Sequence, residues 1–304
     1  MDFTGAPYYA GSASLKFGGD LSYVFCAKQA AIPIKSYSPE LMVTSFYDDD
    51  AIWRSSAKGM AATVIEFFPR LHCLVIGPGL GRKEKVLEAV KAICVKAKET
   101  SLPLVLDADA LYMLSLSTGN LDIIKGYTKC IITPNVMEFD RLLNASKLCL
   151  PEDATQAHKV IALAKYLEGP TVLVKGAEDL VADGVTDGRG DWIVYQVEEK
   201  GSMRRSGGQG DILAGSLGTA FHWALNYPCE HDMGEEGGEV GYRPGMNAAF
   251  LASIVVKRAS AAAFKEHSRS MTSPDVLRMI GEAMHSIEEE EACPDLDFLD
   301  SEEK

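Results

Sequence analysis

The order of apolar and polar positions along the chain predicts alternating helices and strands. Apolar residues recur at helical spacing over residues 4–18, with Thr4 as the candidate cap and Gly18-Gly19 closing the run. Leu21 to Cys26 and Glu40 to Ser45 read as strands, and 48–68 as acids mixed with an amphipathic stretch ending at Pro69. Leu71 to Ile76 is almost continuously apolar, the pattern of a strand buried on both faces of a parallel sheet. It enters Gly77-Pro78-Gly79-Leu80-Gly81, a tight loop, and then a helix from Lys83 to Glu99. Three more strands are expected, Leu102 to Leu106, Cys130 to Ile132 and Thr171 to Val174. They end at Asp107-Ala108-Asp109, Thr133-Pro134-Asn135 and Lys175-Gly176. Polar residues and glycines at the C-terminal ends of strands are where open parallel sheets bind ligands.

Beyond them, Leu180-Val181-Ala182 and Trp192-Ile193-Val194-Tyr195 form an expected hairpin, turned by Asp187-Gly188-Arg189-Gly190. Helices are expected over Asp211 to Asn226, over Met246 to His267, and from Ser273-Pro274, where Ser273 reads as a cap before a first-turn proline. Residues 226–245 read as a Gly-rich surface loop. No repeat or linker divides the chain, so one α/β domain is expected over 1–287. An α/β sheet rarely opens on a helix, so the first strand of this one is expected to be missing.

Composition changes this picture little. Charge and apolar content are ordinary for a globular protein of 304 residues. The net charge of −13 argues against general nucleic-acid binding, and much of it lies in residues 288–304, an acidic stretch expected to be a disordered tail. None of the seven cysteines forms a Cys-x-x-Cys pair and most sit in apolar runs, which points to a reducing compartment. No apolar run is long enough for a membrane span, and no signal sequence opens the chain. The cytoplasm is the default, a mitochondrial form staying open if a targeting segment precedes Met1. The histidines show no metal-ligand spacing. Oligomeric state is not legible, and a homo-oligomer stays open.

The candidate chemistry centres on Arg204-Arg205-Ser206-Gly207-Gly208-Gln209-Gly210-Asp211, which runs directly into an apolar helix pattern. Glycines let backbone N–H groups approach an anion, and the first helical turn adds unpaired N–H groups and the positive dipole end. A carboxylate there is placed to act as a base beside a transferring phosphate. The competing reading is a Gly-rich turn with Asp211 as a plain helix cap.

Taken together, Gly77-Pro78-Gly79-Leu80-Gly81, Asp107-Ala108-Asp109, Thr133-Pro134-Asn135-Val136-Met137-Glu138, Lys175-Gly176 and Gly207-Gly208-Gln209-Gly210-Asp211 resemble the ribokinase-like superfamily. With Thr4-Gly5-Ala6-Pro7-Tyr8-Tyr9-Ala10 and Ser38-Pro39-Glu40-Leu41, the chain resembles the eukaryotic ATP-dependent NAD(P)H-hydrate dehydratases over residues 3–287. The resemblance implies a three-layer α/β/α fold around a mostly parallel sheet. It also implies a reaction: ATP-dependent removal of water from the S hydrates of NADH and NADPH, with ADP and phosphate released. ATP and Mg2+ are the implied cofactors.

Carried onto this sequence, the resemblance makes Asp211 the base and puts ATP on Lys175-Gly176-Ala177-Glu178-Asp179 and on Arg204, Arg205, Ser206, Gly207, Gly208, Gln209 and Gly210. The hydrated nucleotide would meet Gly79, Asn135-Val136-Met137-Glu138-Phe139-Asp140-Arg141 and Asp211. Glu138 would hold the metal through a water. Read as a helix start alone, Asn135 and Glu138 would form a capping box, and both roles can coexist. Asp107 and Asp109 are expected to shape a strand end rather than to catalyse. Tyr8 and Tyr9 fit stacking on a ligand ring as well as plain packing. A vitamin-precursor kinase of the same superfamily and a truncated, binding-only form stay open as alternatives.

Overall fold

A computed structural model describes residues 4–187, 189–227 and 243–292. In chain order the elements are α1 (Gly5–Lys16), β1 (Ser22–Ala27), α2 (Lys28–Tyr37), β2 (Leu41–Tyr47), α3 (Ala57–Ile65), β3 (Leu74–Ile76), α4 (Glu84–Glu99), β4 (Leu104–Leu106), α5 (Ala108–Ser115) and α6 (Thr118–Leu121). They continue with β5 (Cys130–Ile132), α7 (Val136–Ser146), α8 (Gln156–Leu167), β6 (Thr171–Val174), β7 (Asp179–Ala182), β8 (Tyr195–Val197), α9 (Gln209–Asn226), α10 (Pro244–His267), α11 (Ser273–Arg278) and α12 (Ile280–Ala292). Residues 1–3, Gly188, 228–242 and 293–304 lie outside the described residues. Most of the expected surface loop and the end of the expected tail therefore do too.

Strands β3 to β8 form one sheet in sequence order, parallel from β3 to β6 and antiparallel at β7 and β8. The expected α/β layering holds. One face packs on α3, α4, α5, α7 and α8, the other on α1, α9, α10, α11 and α12. The helices follow from their patterns. In α4, Val86, Leu87, Val90, Ile93, Cys94 and Ala97 repeat at helical spacing and are all buried, with Glu84 in the first turn and Lys96 and Lys98 in the last, as the helix dipole favours. β1 and β2 pair in parallel as a separate two-stranded sheet. A cavity of about 460 Å3 lies between β1 and β3.

Several boundaries differ from the sequence pattern. The β3 ladder starts only at Leu74, whose N–H meets Pro103 O; Pro103 has no N–H with which to extend it. The second hairpin strand is Tyr195–Val197 rather than 192–195. Arg243 binds Asp183, Val185 O and Thr186 O along the stretch after β7, where an isolated bridge joins Thr186 and Trp192 before β8 starts. Thr4 stands at the N-cap of α1 as expected, but its side chain makes no capping bond; its hydroxyl meets the Tyr37 hydroxyl at 3.0 Å. The cap of α11 is Thr272, boxed with Asp275, which leaves the Ser273 hydroxyl for another partner. Helix α12 runs through 288–292, so the first part of the expected disordered tail is helical.

Candidate functional site

The parallel strands β3 to β6 end side by side, and their C-terminal ends carry four of the segments singled out in the sequence. β3 enters Gly77, where an added Cβ would stand 1.7 Å from Asp107 O. Only glycine permits that approach, made at a φ of +129°. Asp109 then accepts from Gly81 N–H at 2.9 Å and from Arg82 Nε at 2.8 Å, tying the glycine loop, Gly79 included, to the end of β4. Between the two aspartates, Ala108 has a φ of +46°, a backbone state that costs energy for a residue with a Cβ.

At the end of β5, Asn135 caps α7 by accepting from Glu138 N–H at 3.0 Å, while Glu138 accepts from Asn135 N–H at 2.9 Å. The expected capping box is therefore formed. Asn135 also bridges to Lys175 at the end of β6, where Lys175 N–H meets Pro134 O at 2.8 Å. The two stretches thus become neighbours. Within the first of them, Val136, Met137, Asp140 and Arg141 are exposed, but Phe139 is fully buried in the core and offers a ligand no side-chain surface. Along the second, Gly176, Ala177 and Glu178 are exposed. Asp179 is buried and closes the turn by accepting from Gly176 N–H at 2.8 Å. Lys257 of α10 clamps that turn through Ala177 O at 2.6 Å.

The N-terminus of α9 comes down on these strand ends. Gly208 is its cap, at a φ of +100°, so Asp211 lies one turn inside and is not the cap. Gln209 binds the Ser206 hydroxyl at 2.9 Å, and the Ser273 hydroxyl donates to Gly207 O, so α11 helps fix the loop. Arg205 and Gly207 are exposed, and Arg204 is half-buried. α1 and α9 cross closely enough that a Cβ on Gly215 would strike Ala10 O at 2.0 Å. That crossing seats the Tyr9 ring against Gly208.

Asp107, which the sequence pattern sets aside as structural, belongs to this cluster. It is buried, and its carboxylate pairs with Lys175 Nζ at 2.6 Å. A Cβ on Gly210 would lie 3.4 Å from Lys175 Nζ and 3.9 Å from Asp107 Oδ2, so the pair sits directly under the loop. Burial first, and then the Asp107 charge, push the Asp211 carboxyl up to about 7, while Lys175 opposes them. Burial likewise raises Glu138. No group of three or more ligating side chains gathers anywhere among the described residues.

The sequence matches the family described as NAD(P)H-hydrate dehydratase over residues 1–282. The chain belongs to that family. Among NAD(P)H-hydrate dehydratases, it is 39% identical to the ATP-dependent (S)-NAD(P)H-hydrate dehydratase of Bos taurus over 287 residues, covering 94% of this chain and 79% of that one. It is 35% identical to the Arabidopsis thaliana enzyme of the same name over 301 residues, 96% of this chain and 77% of that one. The fold is shared with a ribokinase-like superfamily protein of Enterococcus faecalis at a TM-score of 0.66 and 19% identity, over 93% of this chain and 82% of that one. It is also shared with the ADP/ATP-dependent NAD(P)H-hydrate dehydratase of Bacillus subtilis co-crystallized with ATP/Mg2+, at a TM-score of 0.60 and 19% identity, over 94% of this chain and 86% of that one. The ends of β3 to β6 and the N-terminus of α9 meet at one junction. Asp107, Lys257 and Ser273 belong to that junction although sequence reasoning gave them no role there, and Tyr9, for which ring stacking stayed open, packs its ring against Gly208. Of those three, Asp107 alone had a signal, its place in a strand-end motif.

Proposed function

We propose that this chain repairs hydrated NADH and NADPH, using ATP to remove the added water from the S epimer and releasing ADP and phosphate. The observation that carries the reading is the half-buried Asp211 carboxyl, raised to about 7, in the first turn of α9 beside the Lys175–Asp107 pair. A base titrating near neutrality matches the task of taking a proton from an alcohol at physiological pH. Asp211 takes the proton of the C6 hydroxyl, and that oxygen attacks the γ-phosphorus as ADP leaves. The ring-nitrogen lone pair then expels the phosphate from C6, and loss of a C5 proton restores the C5–C6 double bond.

Backbone N–H groups of Ser206 to Gly210 and the dipole of α9 hold the phosphates. Lys175 and Arg204 add positive charge, and the exposed Gly176-Ala177-Glu178 turn meets the adenosine part of ATP. Gly79 and the exposed start of α7 meet the dinucleotide. The donors suit a magnesium ion that arrives on the ATP phosphates rather than one caged by protein. Glu138 gives one oxygen to Asn135 N–H, leaving the other for a coordinated water. When bound, the ion neutralises phosphate charge. The buried free thiols Cys26, Cys94 and Cys130 suit a reducing compartment, the cytoplasm by default.

Incubation with hydrated NADH, magnesium and ATP, following reduced-nicotinamide absorbance, tests the reading. Recovery that needs ATP and is lost in Asp211→Asn supports it. A stable phosphorylated product without recovery sinks it.

A further inference from the structure

One turn of α10 grips two separate stretches of chain that the proposed function gives to ATP. Asp179 opens β7 and is paired with Val197, the last residue of β8. The turn before β7 and the stretch after β8 therefore leave the same end of one antiparallel pair. Lys257 holds the first. Its Nζ donates to Ala177 O at 2.6 Å and to Gly176 O at 3.4 Å, and stands 3.6 Å from Asp179 Oδ1. Only 12% of the Lys257 side chain and 6% of the Asp179 side chain are exposed, so this lysine is drawn in against the turn rather than solvated.

Ser260 lies three residues on, on the same face of the helix, and holds the second stretch. Its buried hydroxyl accepts from Ser202 N–H at 3.0 Å and donates to Lys257 O at 2.9 Å. A Cβ on Gly201 would stand 3.1 Å from that hydroxyl and 3.6 Å from Lys257 Cγ, so the chain runs directly along the two residues. Ser202 Oγ donates in turn to Arg204 O at 2.6 Å, and Gln209 Nε2 reaches the same oxygen at 3.3 Å. A short series of hydrogen bonds thus runs from α10 to Gln209, the first residue of α9. Gly176, Ala177 and Glu178 are exposed on the ligand side, so their place is set from behind.

ATP carries its adenosine and its triphosphate a limited reach apart. A ligand held at both ends binds tightly only where the two subsites keep that spacing. We infer that Lys257 and Ser260 are positioning residues for ATP, an inference that rests on the proposed reading of these two stretches. Lys257 sets the place of the adenosine wall and Ser260 that of the triphosphate wall. One helical turn fixes the distance between them.

Calorimetric titration of the full chain with ATP and with inorganic tripolyphosphate, each with magnesium, tests this. Tripolyphosphate engages the triphosphate wall alone. Lys257→Met is expected to weaken ATP about tenfold and tripolyphosphate less than about twofold, with Lys257→Arg recovering most of the loss. Ser260→Ala is expected to weaken both ligands about three- to tenfold. Melting curves choose a temperature at which every variant is folded. If the Asp179 carboxylate, left without its cation, keeps Lys257→Met from folding, Asp179→Asn is added and the same split is read against Asp179→Asn alone. Equal weakening of both ligands by Lys257→Met, or of neither, overturns the inference. So does a Ser260→Ala chain that binds both like the parent, or a parent that binds ATP but not tripolyphosphate. Binding needs no turnover, so a failure of the proposed repair reaction would show separately, as ATP binding without recovery of NADH.

Discussion

Lys175 Nζ lies 2.6 Å from Asp107 Oδ1, although the two residues are 68 positions apart and directly follow β6 and β4, strands separated by β5. The pair keeps a cation under the glycine loop before α9 and an anion near Asp211. Asp107→Asn removes the like charge that raises Asp211 and frees Lys175, which lowers it. Both changes favour the carboxylate. The acid limb of the kcat/KM profile is expected to move down by about one pH unit. Lys175→Met acts in the opposite direction, and raises the KM for ATP by about tenfold. Rate profiles of the three proteins against pH check both.

Asp211→Asn is expected to lower kcat by at least about 100-fold while ATP binding, measured by calorimetry, stays within about threefold. The same variant has a stability signature. The folded pKa of Asp211 is raised, so the folded chain holds a proton that the unfolded chain releases, and this group's contribution falls as pH rises to about 7. Removing the charge should therefore raise the melting point by about 3 °C at about pH 8, the gain fading toward about pH 4. Thermal unfolding at both pH values decides it.

The two roles given to Glu138 can be separated. Glu138→Ala opens the capping box and should cost about 1 kcal/mol. Glu138→Gln keeps an acceptor for Asn135 N–H and should melt within about 1 °C of the parent. If its carboxylate also meets a metal-bound water, the Gln variant needs about three- to tenfold more magnesium for half-maximal turnover. Magnesium titrations beside melting curves read the two effects independently.

Adjacent glycines of the loop before α9 should respond differently to alanine. At Gly208 a Cβ would stand 2.9 Å from the Ser273 hydroxyl and from the Tyr9 ring, at a φ of +100°, so Gly208→Ala should cost about 1–3 kcal/mol. At Gly207 a Cβ meets nothing within 4 Å, so Gly207→Ala should leave stability within about 0.5 kcal/mol. It should still raise the KM for ATP by about tenfold, because a methyl group there holds the phosphates off the backbone N–H groups. Denaturant melts and ATP kinetics on the two variants separate strain from phosphate contact.

Local rules made much of this protein legible from its residues. The apolar runs at 104–106, 130–132 and 171–174 have one plausible use, as strands buried on both faces, and all three form. Asn135 and Glu138 stand three apart, so their capping box needed no partner from elsewhere in the chain. The glycine run before Asp211 marked a loop that opens a helix, and α9 starts there with Gly208 as its cap.

Tertiary structure decided what depends on distant chain. Gly208, not Asp211, caps α9, because its fit is set by Tyr9 and Ser273, which other helices bring to it. Phe139 sits inside an expected ligand-binding stretch but is buried by the turn of its helix against the core. Asp107 joins the cluster around Asp211 and Lys175 only because parallel pairing brings the ends of β4 and β6 to one edge of the sheet. Sequence spacing reports neighbours one turn or one strand away. Contacts across dozens of residues come from how strands pair and helices cross, which no short window of the chain contains.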